Sequence, residues 1–340
     1  MKTYTNLFDE ICEMRSLYDG YVRSRRGKRH QPDLMRFEQN LEGNLLSLQR
    51  ELKSGRYRTS AYHTFYIHEP KKRMVAALPI RDRVVQQSLV GVIEPIYEPR
   101  MIHHSFACRP GKGIHAGAHL AQQWIRKLAR GGRPVYALKA DISKYFASVD
   151  HETLARILSR RIRCARTFSL CRSIIDSYAP GLPVGNLTSQ LWANVYLDQL
   201  DQHVKHELRV RYYMRYMDDF IVLGNDKRAL HDLRQHLGDW LGAELRLRLN
   251  QKTQVFPVGP HALDFLGYRI WATHMKVRRR TLRKMRQTLR RLRAAYASGL
   301  VDAEKVQAHI NSWLGHVCHA DSFHSRQRVL ASTQFWRQAS

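Results

Sequence analysis

Two adjacent carboxylates, Asp218 and Asp219, stand between two arms that suit β-strands, and no other feature constrains the chain as tightly. Tyr212-Tyr213-Met214-Arg215 precede the run Tyr216-Met217-Asp218-Asp219, and Phe220-Ile221-Val222-Leu223 follow it. Both arms are rich in aromatic and β-branched residues, which fit a pleated and partly buried surface. The pattern predicts a hairpin with both acids at its tip. Neighbouring carboxylates repel, and a fold that packs them together usually neutralises them with a divalent cation. An Asp-Asp pair arises about once by chance in a chain this long. Its weight therefore depends on a third carboxylate.

Asp141 supplies one. Val135-Tyr136-Ala137-Leu138-Lys139-Ala140 reads as a strand that ends near Asp141. One acid from that strand and two from a neighbouring hairpin would hold two Mg²⁺ ions about 3.5–4 Å apart. Such a pair activates an attacking 3′-hydroxyl and stabilises a pyrophosphate leaving group. Mg²⁺ takes oxygen ligands, keeps several waters and is commonly completed by substrate phosphates, so few protein ligands suffice.

Charge points the same way. The formal net charge is +28 over 340 residues, so a polyanionic partner is expected. Hydrophobic residues at 44% are enough for a real core, which excludes a disordered basic tail. No apolar run approaches the ~20 residues of a membrane span, and no signal-peptide core opens the chain. Five scattered cysteines (Cys12, Cys108, Cys164, Cys171, Cys318) favour free thiols in a reducing compartment, hence a cytoplasmic protein.

Apolar spacing gives the helices. Leu34, Phe37, Leu41, Leu45, Leu48 and Leu52 predict one helix that stops at Gly55. Ahead of it, Arg23, Arg25, Arg26, Lys28 and Arg29 either grip RNA or form a solvated loop. Leu230, Leu233, Leu237 and Leu241 predict an amphipathic helix, followed by strand-like alternation at Leu245, Leu247 and Leu249. Ten Lys or Arg and no acid lie between Lys276 and Arg293, with Leu282, Met285, Leu289, Leu292 and Tyr296 as an apolar stripe. Such like charges destabilise an isolated helix, and a nucleic-acid partner relieves that cost. Asp150, before His151-Glu152-Thr153, reads as a helix N-cap. Asp82, between Arg81 and Arg83, reads as an ion-pair partner. His316, Cys318, His319 and His324 fit no common zinc spacing, and packing or backbone contact is the better reading.

Taken together the segments resemble the palm of a reverse transcriptase. Besides the Tyr-Met-Asp-Asp box, the resemblance rests on His68-Glu69-Pro70-Lys71-Lys72-Arg73, Leu78-Pro79-Ile80-Arg81 and Phe106-Ala107-Cys108-Arg109-Pro110-Gly111. Gly181-Leu182-Pro183-Val184-Gly185-Asn186-Leu187-Thr188-Ser189-Gln190, Leu249-Asn250-Gln251-Lys252-Thr253 and Phe265-Leu266-Gly267-Tyr268 continue it in order. The aliphatic-Gly-x-x-x-Ser-Gln form at Val184–Gln190 is similar to the enzymes of diversity-generating retroelements. The blocks Arg109–Gly117, Phe265–Trp271 and Ser312-Trp313-Leu314-Gly315-His316 resemble that group too.

The resemblance implies an α+β right-hand polymerase with fingers, a palm β-sheet backed by helices, and a helical thumb. Residues 1–134 would be an N-terminal helical extension and fingers, 135–270 the palm with a fingers segment near 155–182, and 271–340 the thumb. It implies RNA-directed DNA synthesis with two Mg²⁺ ions, for which Mn²⁺ can substitute. Asp141, Asp218 and Asp219 would hold the metals, helped by the carbonyl of Ile142. Lys71, Lys72, Arg73 and Arg81 would clamp the dNTP triphosphate, where a forked guanidinium matches phosphate oxygens. Val184, Gly185 and Gln190 would line the nucleotide site. Lys252 would protonate pyrophosphate or order its loop. Phe146 is either a steric gate against the ribose 2′-hydroxyl or a core residue. Phe265, Leu266 and Gly267 would form the primer grip, and Arg278, Arg279, Arg283, Arg286 and Arg290 would follow the RNA/cDNA duplex. Val184, standing where most relatives carry Gln, implies weak discrimination and copying errors at template adenines. The group also implies a small basic accessory protein as partner. A group II intron-type or retron enzyme, an RNA polymerase and a catalytically silent RNA-binding protein are the alternatives. The aliphatic-Gly-x-x-x-Ser-Gln block, Phe146 and the three acids argue against these in turn, and maturase or endonuclease domains are not expected after residue 340.

Overall fold

The computed structural model describes residues 2–68 and 72–336, so Glu69, Pro70 and Lys71 of the expected fingers segment lie outside the described residues. In chain order the elements begin α1 (Phe8–Cys12), α2 (Met14–Arg25), α3 (Pro32–Glu38), α4 (Leu41–Lys53), β1 (His63–Ile67), β2 (Arg73–Ala77), α5 (Ile80–Tyr97) and α6 (Ile114–Leu128). Next come β3 (Val135–Asp141), α7 (Tyr145–Ser148), α8 (His151–Ser159), α9 (Ala165–Asp176), α10 (Leu187–Gln202), β4 (Tyr213–Tyr216), β5 (Asp219–Gly224) and α11 (Lys227–Leu245). The chain ends with β6 (Gln254–Val258), β7 (Leu263–Phe265), β8 (Tyr268–Ile270), β9 (Met275–Val277), α12 (Arg279–Ala297), α13 (Ala303–Val317) and α14 (Phe323–Leu330). The sheets are β1-β2, β4-β5-β3-β6 and β7-β8-β9. The chain divides into two compact units, the first made of Met1–Pro110, Ala140–Phe220 and Leu233–Thr253, the second of the rest.

The first unit is built around α5 and α10, which are buried on nearly every face and pack on each other. Each fully buried Leu, Ile or Val contributes roughly 1.5–3 kcal/mol. Helix α2 lies close along α5, burying Leu17, Gly20, Tyr21 and Ser24. Gly20 permits that approach, since a Cβ there would stand 2.6 Å from the Val84 carbonyl oxygen. The single helix expected over Leu34–Leu52 is two. Asn40 leaves helical geometry (φ −137°, ψ 58°), and the Asn44 side-chain amide donates to the Phe37 carbonyl at 2.9 Å. That side chain satisfies a carbonyl which a continuous helix would have used, so the chain turns without loss. Asp150 caps α8 as expected, accepting from the Thr153 amide at 2.8 Å. Helix α11 continues to Leu245 and is stopped by Arg246 (φ 53°). Beyond it Leu249 makes only an isolated antiparallel bridge to Ile142, so the expected strand-like alternation at Leu245, Leu247 and Leu249 is not a strand.

In the second unit β3 pairs antiparallel with β6, in register from Val135↔Val258 to Lys139↔Gln254. Strands β7, β8 and β9 form an antiparallel meander, and α6 packs on β8. On α12 the apolar stripe is real: Met285, Leu289 and Leu292 are buried, with Leu282 and Tyr296 half-buried. Arg279, Arg283, Arg286 and Arg290 are exposed on the other side. Both α13 and α14 pack against α12 or its neighbours. No described helix is long and apolar enough to cross a membrane.

Candidate active site

Strands β4 and β5 make the hairpin that the sequence predicts, with Met217 and Asp218 as its two-residue turn and Asp219 opening β5. Met217 takes φ 54°, a left-handed conformation that costs a non-glycine residue about 1–3 kcal/mol. Arg215 holds it there. Its side chain is wholly buried, with Nη1 donating to the Met217 carbonyl at 3.0 Å and to Asn194 Oδ1 at 3.2 Å. Nε and Nη2 form a two-pronged ion pair with the equally buried Asp201, at 2.8 and 2.6 Å. Nη2 also donates to Ser105 Oγ at 3.2 Å, and the backbone of Arg215 is bonded to His104 and Phe106 on either side. Asp201 further accepts from the Tyr213 hydroxyl at 2.6 Å.

Asp141 closes β3. Asn250 Nδ2 donates to its Oδ2 at 3.1 Å, and the Asn250 amide donates to its carbonyl at 2.7 Å. The amide of Lys252 in turn donates to Asn250 Oδ1 at 3.0 Å, while the Lys252 side chain is exposed. Lys252 thus orders the loop through its backbone. Asp218 feels both other acids. Burial, then the charges of Asp219 and Asp141, push its carboxyl up to about 6, and Arg73 on β2 opposes the shift. Asp219 and Asp141 thus raise the proton affinity of Asp218, and three neighbouring carboxylates are a donor set that suits a hard divalent cation. Among the described residues no three His, Cys, Asp or Glu side chains stand ready to enclose an ion by themselves. Ile142, whose carbonyl was expected to assist, is buried.

The basic residues expected on the triphosphate have different surroundings. Arg73 is exposed and acts on Asp218. Lys72 lies over the Tyr66 ring at 4.5 Å. Arg81 is half-buried, paired with Glu51 (Nη2 to Oε2 at 2.5 Å) and donating to Ser60 Oγ at 3.3 Å. Lys71 lies outside the described residues. Asp82 corrects an expectation, because among the described residues it makes no ion pair. It is fully buried and accepts from the Tyr57 hydroxyl at 2.7 Å and the Ser60 amide at 3.3 Å.

Phe146, on the short helix after Asp141, is half-buried, whereas its neighbour Tyr145 is wholly buried and donates to the Ala193 carbonyl at 2.6 Å. The turn is pinned by Gly181, where a Cβ would stand 2.2 Å from the Phe146 carbonyl oxygen, and by the Leu182 amide, which donates to that oxygen at 2.7 Å. Val184 is half-buried, and its carbonyl accepts from the Ala76 amide of β2 at 2.9 Å. Gly185 (φ 123°) lies so close to β2 that a Cβ would come within 2.9 Å of Val75 Cγ1. Gln190 is exposed on α10.

In the second unit Leu266 (φ 52°) and Gly267 (φ 90°) form the two-residue turn between β7 and β8, following the buried Phe265. Positive φ at both positions matches the hairpin twist. Arg278 is bound to Asp264 (Nε to Oδ1 at 2.7 Å), so its charge is partly used. Arg25 of the N-terminal basic cluster is likewise taken up by Glu38, at 2.6 Å. Sequence reasoning assigned no role to Arg215, Asp201, Asn194, Ser105 or Asn250. The one available signal was an arginine inside an otherwise apolar strand.

The family model described as reverse transcriptase (RNA-dependent DNA polymerase) matches residues 67–270. YkfC of Escherichia coli is 27% identical over 272 residues, which cover 66% of this chain and 70% of that protein. The group II intron-encoded protein LtrA of Lactococcus lactis is 25% identical over 238 residues, covering 64% of this chain but 38% of LtrA. In fold the chain is similar to telomerase from Candida tropicalis, solved with the TWJ fragment of telomeric RNA. There the TM-score is 0.52 at 11% identity, over 81% of this chain and 55% of that one. That likeness establishes the α+β right-hand polymerase fold. With the match spanning more than half its length, the chain belongs to the reverse transcriptase family, the RNA-dependent DNA polymerases.

Proposed function

We propose that this chain copies a template RNA into cDNA, with Asp141, Asp218 and Asp219 as its metal-binding acids. The observation that carries the reading is electrostatic: Asp219 and Asp141 both act on Asp218, and Arg73 is the cation that opposes them. Mg²⁺ held by these acids and the Ile142 carbonyl, or Mn²⁺ in its place, would activate a primer 3′-hydroxyl and neutralise pyrophosphate. The chain's own residues do the rest. Asn250 orients Asp141, and Arg215 fixes the Met217-Asp218 turn. Arg73, unengaged by any ion pair among the described residues, attracts the triphosphate, while Arg81 braces its helix through Glu51. Phe146 stands under the sugar and excludes ribonucleotides. The Leu266–Gly267 turn holds the primer end, and the exposed arginines of α12 neutralise duplex phosphates as a thumb would.

The Val184–Gln190 block supports a finer assignment, the reverse transcriptase of a diversity-generating retroelement that errs at template adenines and works with a small basic accessory protein. A group II intron-type enzyme is the second reading, favoured by the similarity to LtrA. Neighbouring DNA separates them, because a near-repeat pair differing mainly at adenines belongs only to the first. The chemistry is tested by Asp218→Asn, which is expected to abolish dNTP incorporation on a primed RNA while leaving RNA binding intact. Near-normal extension by that variant would remove the active-site assignment.

A further inference from the structure

Four histidines gather behind the Leu266–Gly267 turn, all within the second unit. His115 and His119 lie one turn apart on α6, His316 is on the last turn of α13, and His319 follows that helix. His115 stacks on His319 with ring centroids 3.8 Å apart and planes 18° from parallel, and His119 meets the other side of the group at 5.7 Å from His319. His316 lies 5.6 Å from His115 and stacks on Tyr268 at 5.1 Å. The His316 ring also rests against the turn itself, since a Cβ on Gly267 would stand 3.6 Å from its Cε1.

The buried hydroxyl of Tyr268 ties these parts together and fixes a proton. It lies 2.7 Å from the His316 carbonyl oxygen and 2.7 Å from His115 Nδ1. A carbonyl only accepts, so the hydroxyl donates its single hydrogen there, and His115 Nδ1 must be the donor to the hydroxyl oxygen. The neutral Nδ1–H form of His115 satisfies the network. The groups that act on His115 are His319, His316 and His119, each opposing its protonation after burial, and His316 is opposed by burial and His319. Cys318 is the further titratable group that acts on Tyr268. His324 stands apart, against Phe323.

We propose that His115, His316 and Tyr268 are positioning residues for the primer grip, holding the Leu266–Gly267 turn in place only while the histidine stack is uncharged. This rests on reading that turn as the primer grip. Both histidines take up protons less readily in the fold than when unfolded. The stability they contribute is therefore complete above the ordinary imidazole range, and it is lost as pH falls below about 6.5. The direction is diagnostic. A basic protein with 18 histidines should bind nucleic acid more tightly as they charge, whereas a loosened turn should weaken the preference for a primer terminus.

The test measures affinity for primed and unprimed RNA of equal length by fluorescence anisotropy at pH 7.5 and 5.8. In the unmodified protein the primed-to-unprimed preference should fall about three- to tenfold on acidification, a loss of about 0.7–1.4 kcal/mol. His115→Asn places an amide donor near the Nδ1 position and removes one titrating ring from the stack, so its preference should fall markedly less across the same range. Tyr268→Phe removes the shared hydroxyl and should show the weakened preference already at pH 7.5. Parallel pH profiles for the unmodified protein and His115→Asn, or a preference that rises on acidification, would overturn the proposal. Such a result in a protein that still extends primers leaves the polymerase reading standing. Normal incorporation by Asp218→Asn would sink that reading instead.

Discussion

Arg215 Nη2 lies 2.6 Å from Asp201 Oδ2, with both side chains fully withdrawn from solvent. The pair supports a strained turn two residues away, because Nη1 of the same guanidinium bonds the Met217 carbonyl. Removing one partner of such a buried pair leaves an uncompensated charge and costs about 3–5 kcal/mol. Asp201→Asn is therefore expected to lower stability by that amount in denaturant unfolding. Arg215→Lys should lose activity disproportionately, since an ammonium cannot reach Asp201, Asn194 and Met217 together. A Lys variant with unchanged stability and rate would show that the network is dispensable.

Asn250 gives a second expectation. Its amide steadies one oxygen of Asp141 without adding charge to the site. Asn250→Ala should leave nucleic-acid affinity alone but raise the Mg²⁺ concentration needed for half-maximal extension, by about five- to tenfold for one lost hydrogen bond of about 1–1.4 kcal/mol. Titrating Mg²⁺ in a primer-extension assay checks this. Equal midpoints would mean that Asp141 needs no partner.

These two cases mark what the sequence makes legible. Asp141, Asp218 and Asp219 stand out because each lies in a short string whose strand or turn character is local. The α12 stripe is legible for the same reason. Asp201 is 14 residues from Arg215 on a different element, and Asn250 is 109 residues from Asp141. Nothing local marks either as a partner, although a charge inside Tyr213-Met214-Arg215-Tyr216 signals that some partner must exist. The break at Asn40 is hidden because the hydrophobic spacing runs across it unchanged. Asp82 misled through its neighbours: Arg81 and Arg83 flank it in sequence, but helical geometry points it inward to Tyr57.

Phe146 supplies the third prediction. Its ring is half-buried while the adjacent Tyr145 fills the core, so the packing that fixes the turn does not depend on Phe146 alone. Phe146→Ala is expected to admit ribonucleotides, with the dNTP/rNTP selectivity falling by at least about tenfold, the size of a 1.4 kcal/mol discrimination. The protein should lose little stability. An unchanged selectivity with a large drop in stability would make Phe146 a core residue.

The last expectation concerns fidelity at Val184. Its carbonyl is fixed by the Ala76 amide and its neighbour Gly185 is pressed against β2, so the backbone here is held from both sides. The side chain is only half-buried, which leaves room for a longer one. On the proposed reading, Val184 leaves a gap where a glutamine would brace the nascent base pair. Val184→Gln should then raise fidelity, most strongly opposite template adenines. A hydrogen bond of about 1–1.5 kcal/mol corresponds to roughly a five- to tenfold change in the misincorporation ratio. Sequencing cDNA made by both proteins from one RNA template gives the per-base error rates. If Val184 only packs against its surroundings, glutamine will slow synthesis and leave the error spectrum as it was. Equal adenine error rates in the two proteins would place the source of any infidelity at another residue.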